Sequence, residues 1–143
     1  MEENINALDE ISKGSYMGLD AIHFILNKVE DKGLEKVLKK QYKKYKQIKD
    51  EIEDIYKKYN QEDTPHKTNI LEKAMTWYGI EIKTLTDETT SKIAELLIKG
   101  TNMGIIEGRK ILNNKKLNKE VKAICQKYVQ MGEESLEELK KYL

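Results

Sequence analysis

Apolar residues recur in steps of three and four along most of this chain. Over 4–29, Ile5, Leu8, Ser12, Ser15, Leu19, Ile22 and Leu26 form one continuous strip, a spacing that predicts an amphipathic helix. The run Glu30, Asp31, Lys32, Gly33 reads as its stop, with Gly33 suited to a left-handed cap. The strip returns over 34–59 at Leu34, Leu38, Gln41, Tyr45, Ile48 and Ile52. After a polar stretch, Thr64 followed by Pro65 is a helix-start signal, and Ile70, Leu71, Ala74, Met75, Tyr78 and Ile82 make a third stripe over 65–85. Thr86 and Asp87 are placed to cap a fourth helix at 88–112, whose inner face carries Ala94, Ile98, Thr101 and Ile105. A fifth helix at 118–142 turns Val121, Ile124, Tyr128 and Met131 inward, so the predicted class is all-α.

The pattern also repeats. Residues 11–42 align without a gap on 97–128, matching at Lys13/Lys99, Gly14/Gly100, Met17/Met103, Gly18/Gly104, Ile25/Ile111 and Tyr42/Tyr128. Because the register survives across the loop, the repeated unit is a whole αα-hairpin. The chain therefore reads as two hairpins, 4–60 and 88–142, joined by a crossover helix at 65–85. If the hairpins pack about a two-fold axis, the link has to run the length of the bundle. A helix of about 20 residues, roughly 30 Å long, makes that crossing. Charge agrees with this arrangement. The start of the second helix is basic (Lys36, Lys39, Lys40, Lys43, Lys44) and the end of the fifth acidic (Glu133, Glu134, Glu137, Glu138), and antiparallel neighbours bring these halves together.

With 143 residues, the chain fits a single domain spanning 1–143. Lys+Arg (26) and Asp+Glu (25) nearly cancel to +1, leaving no overall electrostatic footprint for nucleic acid or an anionic membrane. The lysines at 36–49 alternate with Tyr42 and Tyr45 in the manner of a strand-binding surface, but these tyrosines fall on or beside the apolar strip, so no nucleic-acid partner is expected. The single Cys125 cannot form an intramolecular disulfide. With no long apolar run and no apolar leader, neither a membrane partner nor secretion is expected, and the expected location is cytoplasmic.

Gly14 and Gly18, and Gly100, Gly104 and Gly108, lie one turn apart on equivalent strips of the first and fourth helices. Each mid-helix glycine costs about 1 kcal/mol relative to alanine, so their presence calls for a reason. Close approach of helix to helix is the expected one, and a cavity for a ligand is the alternative.

Two αα-hairpins with a long crossover resemble the ferritin-like superfamily, the architecture of ferritin and rubrerythrin. Within it the chain is most similar to a bacterial branch of unknown function. The likeness rests on Ser12 to Leu19 in the first helix, Met75, Thr76, Trp77 and Tyr78 in the third, and Lys99 to Gly104 in the fourth. The resemblance implies a ferritin-like four-helix bundle. In metal-loaded members a glutamate from each of two helices and a Glu-x-x-His motif on each partner helix hold two iron or manganese ions. This chain has no Glu-x-x-His, and its only histidines are His23 and His66. At the bundle centre stand Ser15, Gln41, Tyr45, Thr101 and Tyr128, hydrogen-bonding groups fit for a polar layer or a small-ligand pocket.

The expected function is thus a non-catalytic ferritin-like module acting through protein association, as a homo-oligomer or with another protein, its di-metal site degenerate and no cofactor expected. An alternative is an iron- or manganese-binding protein or oxidoreductase with a non-standard site, for which Asp20 and Glu107 are the candidate metal ligands. A second alternative is a carrier of a small ligand in the bundle core, which requires an enclosed pocket of a few hundred Å³, the usual size of a ligand site. Asp9 and Glu95 also follow the repeat and read as solvated salt-bridge partners, and Met17, Met103 and Met131 as core filler rather than a Cu(I) site. Trp77 and Tyr78 are adjacent, so only one of them can face the core; the other is a candidate interface anchor.

Overall fold

The computed structural model describes residues 2–59 and 69–143, and over 69–75 the backbone alone. The expected helix start at Thr64 and Pro65, and His66, lie outside the described residues, as do the side chains of Ile70, Leu71, Ala74 and Met75. Five α-helices and no strand occur among the described residues: α1 (Glu2–Ile25), α2 (Lys32–Tyr59), α3 (Asn69–Lys83), α4 (Thr90–Asn114) and α5 (Lys119–Lys140). None of them is long and apolar enough to cross a membrane.

The ends differ in detail from the sequence reading. A 3-10 turn, Leu26–Lys28, rather than a glycine, closes α1, with the Val29 amide donating to the Leu26 carbonyl at 3.3 Å. Gly33 lies in the first turn of α2 without a left-handed backbone, and Asp31 caps that helix by accepting from the Leu34 amide at 2.9 Å. Thr89, not Thr86, caps α4, its hydroxyl accepting from the Lys92 amide at 3.4 Å, while Asp87 accepts from the Thr89 amide at 3.0 Å.

Helices α1, α2, α5 and α4 pack in that cyclic order, and α3 lies against α1 and α4. Ion pairs fix the polarity. Lys40 meets Glu138 at 3.3 Å near one end of α2, and Lys58 meets Glu120 at 2.7 Å near the other, so α2 and α5 run antiparallel. The α4 to α5 loop is pinned to the start of α1, where Asn4 Oδ1 accepts from the Asn118 amide at 2.8 Å. At the opposite end Lys28 pairs with Glu88 at 2.8 Å. The link between α2 and α4 therefore runs from one end of the bundle to the other. Each exposed pair contributes only a few tenths of a kcal/mol, enough to bias orientation but too little to carry stability. That comes from the core, where Leu8, Ile25, Leu34, Leu38, Ile52 and Leu139 are completely buried.

Candidate functional site

At mid-height the bundle holds a small space of about 20 Å³ lined by Gln41, Tyr45, Thr101 and Tyr128 of the expected polar layer. Tyr78 of α3 also lines it. Ser15, the fifth expected residue, is fully buried but does not line the space; its hydroxyl donates to the Ile11 carbonyl at 2.9 Å, one turn back on its own helix. Thr101 behaves in the same way, donating to the Leu97 carbonyl at 2.8 Å, with the Tyr45 phenol close to its hydroxyl. Gln41 Nε2 donates to the Ser135 carbonyl at 3.4 Å and ties α2 to α5. A space of this size is far short of the few hundred Å³ that a drug-sized ligand fills.

The glycines account for the layer's geometry. An ideal Cβ on Gly14 would collide with the Tyr128 hydroxyl, and one on Gly104 would stand 2.6 Å from the same oxygen. A Cβ on Gly18 would meet the Tyr45 ring at 2.8 Å, and one on Gly100 would collide with the Tyr78 ring. What Gly14, Gly18, Gly100 and Gly104 accommodate is thus a set of tyrosine rings, one each from α2, α3 and α5, rather than neighbouring backbone, while Gly108 makes room for the Val129 side chain. Perfect two-fold repetition of the Gly14 and Tyr128 contact would set Gly100 against Tyr42. Tyr78 takes that recess instead, and Tyr42 stays half-buried. Nothing in the α3 stripe marked Tyr78 as a member of this layer, because its partner is 22 residues away on another helix.

Burial sets the protonation of the layer. Desolvation pushes the Tyr45 phenol up to about 12, and Tyr78 and Tyr128 higher still, with Tyr45 adding to both. All three remain neutral donors at any physiological pH.

The acidic candidates do not converge. Asp20 is exposed on α1 and borders a groove against α3, whereas Glu107 lies on α4 beside Glu10, 3.9 Å from Lys110. Asp9 differs more sharply from expectation, being only 1 % exposed; it and Lys13, one turn on, are both buried and both engaged. Glu95 is the surface ion-pair member expected, joined to Lys92 at 2.5 Å. His23 is exposed, and Met17 and Met131 line different spaces. Among the described residues no three His, Cys, Asp or Glu side chains gather closely enough to share a metal ion. The donors at mid-bundle are neutral phenols, an amide, and hydroxyls committed to their own helices, which does not fit the anionic set of a di-iron or di-manganese centre.

Two consequences are measurable. Burial first, then the charge of Glu107, raises the Glu10 carboxyl above its ordinary 4.5. A raised carboxyl contributes stability below pH 4.5 and loses it as pH rises through its folded value. Glu10→Gln is therefore expected to stabilise the protein at neutral pH and to make no difference once both states are protonated; urea unfolding at the two ends of this range tests the sign. Cys125 is fully buried, and desolvation followed by Glu10 pushes its thiol from 9.0 up to about 12. Thiolate, not thiol, reacts, so labelling at mildly alkaline pH is expected to be about a thousandfold slower in the native protein than in denaturant. Equal rates read by a chromogenic disulfide would contradict this burial.

On the outside, α3 is two-sided. Tyr78 and Ile82 face inward, each 3 % exposed, while Trp77 and Ile80 stand 45 % and 55 % exposed one turn apart. Beside them a groove of about 140 Å³ runs between α1 and α3, lined by Asp20, Phe24, Gly79, Ile82 and Lys83. The basic start of α2 is partly covered by α5, through Lys40 to Glu138 and Lys44 to Glu134 at 3.8 Å.

Comparison with known protein families, with curated proteins and with solved structures finds no match to this chain.

Proposed function

We propose that this chain is a ferritin-like bundle without a catalytic centre, and that it acts by associating with protein, first of all with a second copy of itself, through the outward face of α3. The observation that carries the reading is the exposure of Trp77 and Ile80 on a helix whose other face is already anchored by Tyr78 and Ile82. Tryptophan in the open is unusual, and it is the residue most enriched at the energetic centres of interfaces. A net charge of +1 offers almost no repulsion between copies. The cyclic helix order with a full-length crossover supports the ferritin-like part, and the neutral donors at mid-bundle support a degenerate metal site.

Trp77 is the only tryptophan, so its emission reports this face alone. Sedimentation equilibrium is expected to give a concentration-dependent oligomer, with Trp77 emission moving to longer wavelength on dilution. A Trp77→Glu/Ile80→Glu variant is expected to remain monomeric with unchanged helical circular dichroism. A monomer at every concentration with water-like emission throughout would overturn self-association through α3. Stoichiometric retention of iron or manganese after reconstitution would replace the reading with the metal-binding one.

A further inference from the structure

Two buried hydroxyls at the centre of the bundle have no hydrogen-bond partner among the described residues. Tyr78 and Tyr128 are 3 % and 5 % exposed, and neither phenol finds a hydrogen-bond acceptor among the described residues. Their neighbour Tyr45 has the Thr101 hydroxyl beside it. Buried polar groups in folded proteins are nearly always satisfied, so two orphans lining one space require an explanation. A third group shares the problem. The Ser135 carbonyl can only accept, so the Gln41 amide turns its NH₂ toward it, leaving Gln41 Oε1 with no donor among the described residues.

All of these groups line the same space of about 20 Å³. That admits one water, whose centre needs about 10–15 Å³. Burial keeps the three phenols protonated, so the site carries no charge to hold an ion. The guest has to be neutral, to have one heavy atom, to accept twice and to donate at least once.

We propose that the mid-bundle space binds a single water molecule, which accepts from the Tyr78 and Tyr128 hydroxyls and donates to Gln41 Oε1 and Tyr45 Oη. This water satisfies every orphan at once and joins α2, α3 and α5 through one atom. Because one of its two donors arrives on α3, the site is complete only when the crossover helix is docked with Tyr78 in the recess at Gly100. The proposal stands whether or not α3 mediates association.

A high-resolution crystal structure is the test. One discrete peak is expected within about 2.7–3.2 Å of at least three of the four named oxygens. No peak, or phenols bonded directly to one another, would overturn the proposal, as would density too large for one oxygen atom, which would favour an organic guest. The Tyr78→Phe/Tyr128→Phe variant removes both donors and is expected to lose the peak; in solution, magnetic relaxation dispersion of water is expected to register one fewer long-lived molecule. A peak that persists unchanged in this variant would show that the phenols do not hold it. If the variant does not fold, the peak in the unaltered protein decides.

Discussion

Between pH 10 and 12 the protein is expected to lose its helical structure in one cooperative step. In the fold, the phenols of Tyr45, Tyr78 and Tyr128 are pushed up from their ordinary 10.0 by burial, Tyr45 to about 12 and the other two further. Below pH 10 both states keep these protons, and the phenols contribute no pH dependence. Above it the unfolded chain releases three protons that the folded chain retains. Each such proton lowers stability by about 1.4 kcal/mol per pH unit, so three lower it by about 4. Two pH units then remove about 8 kcal/mol, a large part of the roughly 5–15 kcal/mol that holds a domain of this kind together. The Cys125 thiol, raised by the same burial, adds to the slope from pH 9.0 upward. The measurement is phenolate absorbance followed together with far-ultraviolet circular dichroism. The three tyrosines of the layer, Tyr45, Tyr78 and Tyr128, should ionise only as the helical signal disappears. A single smooth titration near pH 10 with the helices retained would contradict the burial of the layer.

Tyr128→Ala is expected to cost about 3–5 kcal/mol, the range for removing a large buried aromatic side chain. The ring is 5 % exposed, and its hydroxyl is held between two glycines on different helices, so neither α1 nor α4 can collapse onto the space without moving as a body. The same contact can be attacked from the other side. Gly14→Ala drives a methyl group into the Tyr128 hydroxyl, which Gly104 prevents from retreating, and overpacking of this type costs about 1–3 kcal/mol. Gly79 is the control. Nothing lies within 4 Å of a Cβ built there, so Gly79→Ala is expected to stabilise by about 0.5–1 kcal/mol through helix propensity alone. In the Tyr128→Phe background the colliding oxygen is gone while Cζ still lies 2.9 Å from the new Cβ, so part of the cost of Gly14→Ala should go with it. Denaturant unfolding of the four proteins in this cycle measures the coupling; additive effects would mean that Gly14 and Tyr128 do not touch.

Much of the fold was legible because helical periodicity is local. The five stripes placed five helices, within a few residues of their observed ends apart from the start of α3, which borders residues outside those described, and the basic and acidic halves of α2 and α5 foreshadowed the pairs from Lys40 to Glu138 and from Lys44 to Glu134. Caps were read less well. Gly33 looked like a terminator, but Asp31 two residues earlier was already the start signal for α2. Of the polar residues placed at the centre, Gln41, Tyr45, Thr101 and Tyr128 meet around one space, and Ser15 turns back to its own helix.

By itself the sequence determined which face of each helix is apolar, which residues interrupt that face at mid-height, and that glycine recurs on matching strips of two helices. These properties depend on spacing along one helix, and the 3.6-residue period fixes them before any helix meets another. The tertiary structure decided what lies across each gap: that tyrosine rings, not backbone, fill the glycine recesses, that Tyr78 displaces Tyr42 at Gly100, that Asp9 is buried, and that Asp20 and Glu107 stand apart. Such pairings depend on the axial offset and rotation of one helix against another. Those are set by how ridges and recesses of several helices fit together at once, and no single stripe contains that information.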